Sequence, residues 1–135
     1  MHALRDWFTA PWVQWIALLF LCSAYLQGAW DKLRDFPSAV VEVRHLGLAP
    51  VVPLAVMTIA VELAGPLMVL SGWNRWLGAL LLAGFTASAN LLADRFWTRP
   101  ASERRQLANA FFEHWGLVGA LVLVAWIDLG GLHAR

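Results

Sequence analysis

Four stretches of the chain are apolar over a length that would cross a lipid bilayer. They cover residues 12–30, 51–70, 76–93 and 111–127, and a helix needs about 20 such residues to cross a hydrocarbon core of about 30 Å. The chain of 135 residues is 60% hydrophobic and only 14% charged, whereas a soluble domain carries about 25% charged residues. We therefore predict an all-α integral membrane four-helix bundle of up-down topology, formed by a single transmembrane domain over residues 1–135.

Charge and cysteine content narrow the functions that fit this chain. The formal net charge of +1 argues against nucleic acid as a partner. Cys22 is the only cysteine and therefore has no partner for an intrachain disulfide. Its place in an apolar run favours a packing role over a reactive thiolate, with an intermolecular bridge or a redox thiol as the alternative.

The basic residues are distributed unevenly between the two sides of the predicted bundle. The connections at 31–50 and 94–110 hold seven of them, against three on the other side, namely Arg5, Arg75 and Arg135. Because positive loops stay in the cytoplasm, we expect these two connections to be cytoplasmic and both termini to lie outside. The expected location is a bacterial-type inner (plasma) membrane. Tryptophans near both ends of the spans fit two interfacial belts.

Two of the connecting segments carry helix signals of their own. Residues 38–46 suit a short interfacial helix ended by Gly47. Its apolar side chains are expected to face lipid; these are Ala39, Val40, Val43 and Leu46. Pro100 suits the start of a helix that runs on into the fourth span.

Small residues recur at the spacing of one helical turn in the last two spans. Ala79, Ala83 and Ala87 form one predicted ridge, and Gly116 and Ala120 form another. Close approach of backbones is what holds helices together in lipid. We therefore expect both ridges to pack against neighbouring helices of the bundle.

Glu62 lies near the middle of the second span. A charged side chain at this depth costs on the order of 2.5–3.5 kcal/mol on insertion scales. Pro66 follows four residues later, so the Glu62 carbonyl lacks its usual helical donor and a kink is expected there. We predict that Glu62 is a functional, candidate catalytic residue that handles a proton or a ligand, with a structural carboxyl bonded to a neighbouring helix as the alternative.

Other polar side chains collect at the end of the bundle that carries the basic loops. They end the first span, end the third span and begin the fourth, and Tyr25 lies along their approach. Glu62 lies deeper, about 9 Å from the level of His114 at 1.5 Å per residue. We predict a funnel that leads to Glu62, with candidate ligand-binding residues Gln27, Trp30, Lys32, Asn90, Asp94, Arg95, Glu113 and His114.

These candidates also have structural interpretations. Lys32 can pair with Asp31, and Arg95 with Asp94, as ordinary interfacial charge pairs. Asn90 can hydrogen-bond between helices, and His114 can be satisfied by Glu113 or by lipid headgroups. Both interpretations stay open from the sequence.

A resident metal, haem or flavin is not evident in the sequence. The histidines are His2, His45, His114 and His133, and only His114 lies in a predicted span. No pair has the i, i+4 spacing of a helical metal site, and no glycine-rich phosphate loop is present. Any electron carrier is therefore expected to come from outside the chain.

Four short motifs resemble the DoxX family of small four-helix membrane proteins. They are the segments 28–33, 61–65, 94–97 and 109–119, and the resemblance extends from about Leu18 to Trp126. The family often has a second glycine where this chain has Pro66, so the helix crossing there is expected to differ. Its name-giving members resemble membrane subunits of a thiosulfate:quinone oxidoreductase, while many others have no assigned activity.

The resemblance and the polar residues together suggest a membrane subunit of a quinone-linked oxidoreductase system. Quinone is then the expected cofactor, Glu62 would relay protons, and His114, Asn90 or Lys32 would bind the head group. The expected partners are the lipid bilayer and either a protein that supplies electrons or further copies of this chain. Two alternatives remain: a non-catalytic membrane partner or assembly subunit, and a small transporter or lipid-handling protein.

Overall fold

The computed structural model describes residues 2–131, so His133 and Arg135 lie outside the described residues. Its elements are α1 (His2–Phe8), α2 (Pro11–Arg34), α3 (Phe36–His45), α4 (Val51–Ser71), α5 (Arg75–Ala93), a short 3-10 helix (Phe96–Thr98) and α6 (Ala101–Asp128). No β-strand occurs among these residues.

Within the described part of the chain, four helical segments are long and apolar enough to cross a membrane. They are α2, α4, α5 together with the 3-10 helix, and α6. Large apolar side chains such as Leu67 and Leu123 are about 60% exposed on their outer faces, where a soluble protein would place polar groups. Trp30 and Trp97 at one end and Trp12 at the other are also exposed. The predicted fold class is confirmed: the chain is a helical, multi-pass membrane protein.

Turn chemistry sets the ends of the helices that carry the site. Asp35 accepts hydrogen bonds from the backbone N–H of Ser38, at 3.3 Å, and from its hydroxyl, at 2.6 Å. This cap starts α3 at Phe36, two residues before the predicted start. Helix α6 begins directly after Pro100 and runs without interruption into the membrane, as the sequence predicted.

The orientation predicted for α3 is wrong. Ala39 and Val43 were expected to face lipid, but both are buried, because α3 packs against α4. Leu46 is exposed and Val40 is half-buried. An apolar stripe has the same sequence pattern whether it meets lipid or another helix, and here it meets protein.

The N-terminal segment forms a helix, α1, for which the sequence carries no clear signal. Helix α1 has no buried residue. Trp7 packs edge-to-face against Trp12 at the start of α2, with ring centroids 5.5 Å apart.

Helix packing follows the chain order, with α2 against α4, α4 against α5, and α5 against α6. Helices α4 and α5 approach each other closely, because a Cβ atom at Gly78 would lie 2.9 Å from the carbonyl oxygen of Gly65. Helix α4 continues through Pro66, which is buried. Helices α4 and α5 therefore cross closely although Pro66 replaces the second glycine that the family often has. Gly78 on α5 provides the space for this crossing.

The core confirms one small-residue ridge and contradicts the other. Ala79 and Ala83 are buried in α5 beside Leu82. Gly116 in α6 is exposed, and a Cβ atom there would meet nothing within 4 Å among the described residues. The expected packing of Gly116 is therefore wrong within this chain, because α6 buries a different face. Cys22 is completely buried, which fits the packing role.

Candidate functional site

A cavity of about 660 Å³ opens at the end of the bundle formed by the 31–50 and 94–110 connections. We call it the basic-end cavity. Its wall combines α3, α4 and α5 with one residue of α2, Lys32, and one residue of α6, His114. Most of the lining is apolar, and the polar side chains on it include Lys32, Glu62 and His114. Of the predicted site residues, these three are brought together on one surface.

Lys32 and Glu62 form a buried ion pair between α2 and α4. The Lys32 Nζ lies 2.7 Å from Glu62 Oε1, and the two side chains are 20% and 5% exposed. At this distance the positive ammonium group and the negative carboxylate attract each other strongly. The sequence placed both residues in the funnel but did not predict that they pair.

Gly28 makes room for this pair. It lies one helical turn before Lys32 on α2, and a Cβ atom at Gly28 would collide with Glu62 Oε2. A larger residue would push the carboxylate away from the ammonium group. The glycine in the 28–33 motif therefore has a steric reason, which is the approach of a neighbouring carboxylate.

His114 on α6 is held by Asp94 at the end of α5. The His114 Nδ1 lies 2.8 Å from Asp94 Oδ2, and the Asp94 side chain is 14% exposed. An ionised carboxylate only accepts hydrogen bonds, so Nδ1 carries the proton and Nε2 is left as an acceptor in the neutral ring. Asp94 thus fixes the tautomer of a histidine that lines the cavity.

Asn90 has a different role from the one predicted for a cavity residue. It is 1% exposed and does not line the cavity. Its Nδ2 donates to the backbone carbonyl of Phe111, at 3.0 Å, and its Oδ1 has no hydrogen-bond partner among the described residues. Asn90 therefore joins α5 to α6 three residues before His114, which fits the interhelical interpretation.

The aromatic rings around the 3-10 helix support the same region. Phe96 packs edge-to-face against Phe111 with centroids 5.4 Å apart, and Trp97 does so at 5.5 Å. Phe111 in turn contacts Trp115. These contacts hold the α5–α6 connection, and with it Asp94, against the first membrane turns of α6.

Two predicted residues of α2 lie on the outer surface rather than in the cavity. Gln27 is exposed and donates to Asp31 Oδ2 at 2.5 Å. Trp30 is 60% exposed, with the Arg34 guanidinium 5.9 Å from its ring centroid. Neither residue lines the cavity, so α2 contributes fewer side chains to it than the sequence predicted.

Arg95 and Glu113 are also outside the basic-end cavity. Arg95 is exposed and its Nε donates to the carbonyl of Leu91 at 2.7 Å. Glu113 is exposed next to His114 in the chain. Neither approaches the Lys32–Glu62 pair within ion-pair distance in the described structure.

Sequence reasoning missed the contribution of α3 and one buried polar contact. Glu42 and His45 of α3 line the cavity, because the apolar face of α3 packs on α4. Tyr25 donates its hydroxyl proton to Thr86 Oγ1, since the Thr86 hydroxyl itself donates to the carbonyl of Leu82 at 2.7 Å. This hydrogen bond connects α2 to α5. The signal for it was a threonine between the apolar residues of the third span.

The fold and the site define a class: a small multi-pass helical membrane protein with a buried ion pair on the wall of a cavity near one membrane interface. The match to known families agrees with this class. The DoxX family model matches residues 15–95, and the chain belongs to this family.

The matched range covers the first three membrane helices and ends before α6, whereas the resemblance noted above reached Trp126. Lys32, Glu62 and Asp94 lie within the match, and His114 lies beyond it. No curated protein and no solved structure matches the chain significantly.

Proposed function

We propose that this chain is the quinone-binding membrane subunit of an oxidoreductase system, and that the quinone head group occupies the basic-end cavity. The observation that carries the proposal is the shared wall of that cavity, which holds the Lys32–Glu62 pair and His114. In this proposal the protein resides in a bacterial-type inner membrane. The 31–50 and 94–110 connections face the cytoplasm and both termini face outward, as the basic residues predict.

The cavity suits a quinone in size and in lining. Its volume of about 660 Å³ falls within the range of about 300–1,000 Å³ for small-ligand sites. Leu54, Met57, Phe85 and Leu92 offer apolar surface to a ring and to the start of an isoprenoid tail. A bound quinone would supply reversible two-electron, two-proton chemistry, with electrons delivered by a protein partner.

Each polar residue has a role in this proposal. The Lys32 ammonium group is a hydrogen-bond donor for a carbonyl oxygen, and Glu62 holds it in place across 2.7 Å. Glu62 also moves protons between the cavity and the neighbouring side chains. His114 accepts or returns a proton at Nε2, while Asp94 stabilises the charged ring from Nδ1.

Occupancy of the cavity can be tested with a matched pair of blocking variants. Ser88 lines the cavity and is exposed, whereas Gly84, one turn earlier on the same exposed face, does not line it. We expect Ser88→Trp to lower the affinity for a short-chain quinone analogue in lipid nanodiscs at least tenfold, and Gly84→Trp to leave it unchanged. Equal affinities in the two variants would contradict the proposed site.

The proton role of Glu62 is tested separately, by turnover. In membranes of a strain that depends on this chain, Glu62→Gln is expected to abolish quinone-linked turnover while the protein still assembles. Glu113→Gln changes an exposed carboxylate outside the cavity and serves as the control. Unchanged turnover in Glu62→Gln would refute the proton role.

The exposed face of α6 favours a second candidate function, a non-catalytic membrane subunit. Gly116 and Gly119 are exposed, and a Cβ atom at either would meet nothing within 4 Å among the described residues. Such glycines permit close approach of a helix from another chain. Isolation of the protein in mild detergent distinguishes the two functions. A complex with another protein that contains no quinone supports the second function. An assembly of this chain alone with bound quinone supports the first.

A further inference from the structure

A second cavity, of about 650 Å³, lies between α2 and α6. We call it the α2–α6 groove. It lies at the end opposite the basic-end cavity, where the short connection between Ser71 and Arg75 joins α4 to α5. The groove exists because α2 packs mainly against α4, while α6 packs mainly against α5.

The depth of the groove matches one leaflet of a bilayer. Its lining on α6 runs from Asp128, at the helix end, to Ala120, which is a rise of about 12 Å at 1.5 Å per residue. One leaflet of hydrocarbon is about 15 Å thick, half of the full core. Ala17 and Ala120 keep the space open, and Leu18, Leu21 and Leu123 make it apolar. An acyl chain that enters from the membrane fits this shape.

Charged groups of both signs lie at the mouth of the groove. Arg75 uses its Nε to donate to the carbonyl of Val69, at 2.7 Å, and no carboxylate among residues 2–131 lies within 4.0 Å of its nitrogens. Asp128 accepts from the backbone N–H of Trp76 through Oδ2, at 2.9 Å, and a carboxylate can accept further hydrogen bonds through its two oxygens. Gln14 adds an exposed amide at the same level.

We propose that the α2–α6 groove binds a single zwitterionic aminophospholipid, with its phosphate at Arg75, its ammonium group at Asp128 and one acyl chain along the groove. Guanidinium groups suit phosphate because they offer parallel N–H donors. A carboxylate beside them repels a purely anionic headgroup but attracts one that carries its own ammonium group. The pair of opposite charges therefore selects a headgroup with both.

Native mass spectrometry of the detergent-purified full chain tests the proposal. The probes are phosphatidylethanolamine and phosphatidylglycerol with identical acyl chains. The wild-type protein is expected to retain phosphatidylethanolamine at least fivefold more strongly. Asp128→Asn, which keeps an acceptor for Trp76, is expected to reverse that preference, and Arg75→Gln is expected to weaken both lipids about tenfold. Arg99→Gln, at the other end of the bundle, is the charge control.

A second pair of variants, which places a tryptophan inside or outside the groove, tests the proposal if Arg75→Gln fails to fold. Ala120 lines the groove, whereas Val122, two residues later on α6, is exposed and does not. Ala120→Trp is expected to abolish retention of the lipid, and Val122→Trp to leave it unchanged. The proposal is overturned if the two lipids bind equally and Asp128→Asn changes nothing. It is also overturned if the groove is covered by a second copy, seen as a dimer that Ala120→Trp dissociates.

Discussion

Replacing Lys32 by methionine removes the only cation that the described structure places within ion-pair distance of Glu62. Methionine keeps most of the volume of the side chain, so the change is mainly one of charge. Glu62 is 4% exposed and lies in the middle of α4, so its carboxylate is largely removed from water. The variant therefore leaves a buried carboxylate without its counter-charge.

Breaking a buried ion pair from one side costs about 3–5 kcal/mol. At 1.36 kcal/mol per power of ten, this is a shift of about two to four powers of ten in the unfolding equilibrium. The reverse change, Glu62→Gln, is expected to cost less, about 1–2 kcal/mol, because the long Lys32 stem can carry its charge to the interface. The double variant Lys32→Met/Glu62→Gln is expected to recover at least about 2 kcal/mol relative to Lys32→Met.

Reversible unfolding in mixed micelles, followed by circular dichroism as the denaturing detergent increases, measures these differences. Arg44→Met is the matched control, because Arg44 is an exposed cation on α3 and surface charge changes stay within about 0.5 kcal/mol. A loss in Lys32→Met no larger than that of Arg44→Met would show that Glu62 does not depend on Lys32 for its counter-charge. So would a double variant that is as unstable as Lys32→Met alone.

Three further predictions concern the packing that positions the site. Gly78→Ala is expected to cost about 1–3 kcal/mol in the same unfolding assay because the α4–α5 crossing has no room for a methyl group, while Gly116→Ala should be neutral; equal effects would contradict the packing. Tyr25→Phe, which loses the bond to Thr86, is expected to cost about 0.6 kcal/mol, a typical value between membrane helices, and no change would show that the contact does not stabilise the fold. Cys22, which is completely buried, should react with a maleimide only after unfolding, so rapid labelling of the folded protein would be inconsistent with the core described above.

The membrane helices were predictable because the bilayer imposes a length on each apolar segment. The starts at Val51 and after Pro100 agree with the sequence, since the beginning of an apolar run and a helix-starting proline are local signals. The position of α3 could not be predicted from its own residues. Its apolar face fits lipid and protein equally well, and only the tertiary structure shows that Ala39 and Val43 cover α4.

The sequence indicates the level of each candidate residue along its helix, but not the direction in which its side chain points around the helix axis. Neighbouring residues on a helix point about 100° apart, so Glu113 and His114 share a depth while only His114 lines the cavity. Gln27 lies at a suitable level but faces outward for the same reason. The pairing of Lys32 with Glu62 depends on how far α2 and α4 are shifted relative to each other along the bundle axis. The pattern of residues within either helix does not indicate this shift.

Photoaffinity labelling with a quinone that carries a photoreactive group on its ring tests the central proposal most directly. The protein is labelled in lipid nanodiscs, with and without excess unlabelled quinone, and the modified peptides are mapped by mass spectrometry. We expect saturable labelling within residues 54–62, 85–93 and 111–115, which the unlabelled quinone prevents. Labelling that competition does not prevent, or that is confined to the α2–α6 groove near Gln14 and Asp128, would contradict the proposal.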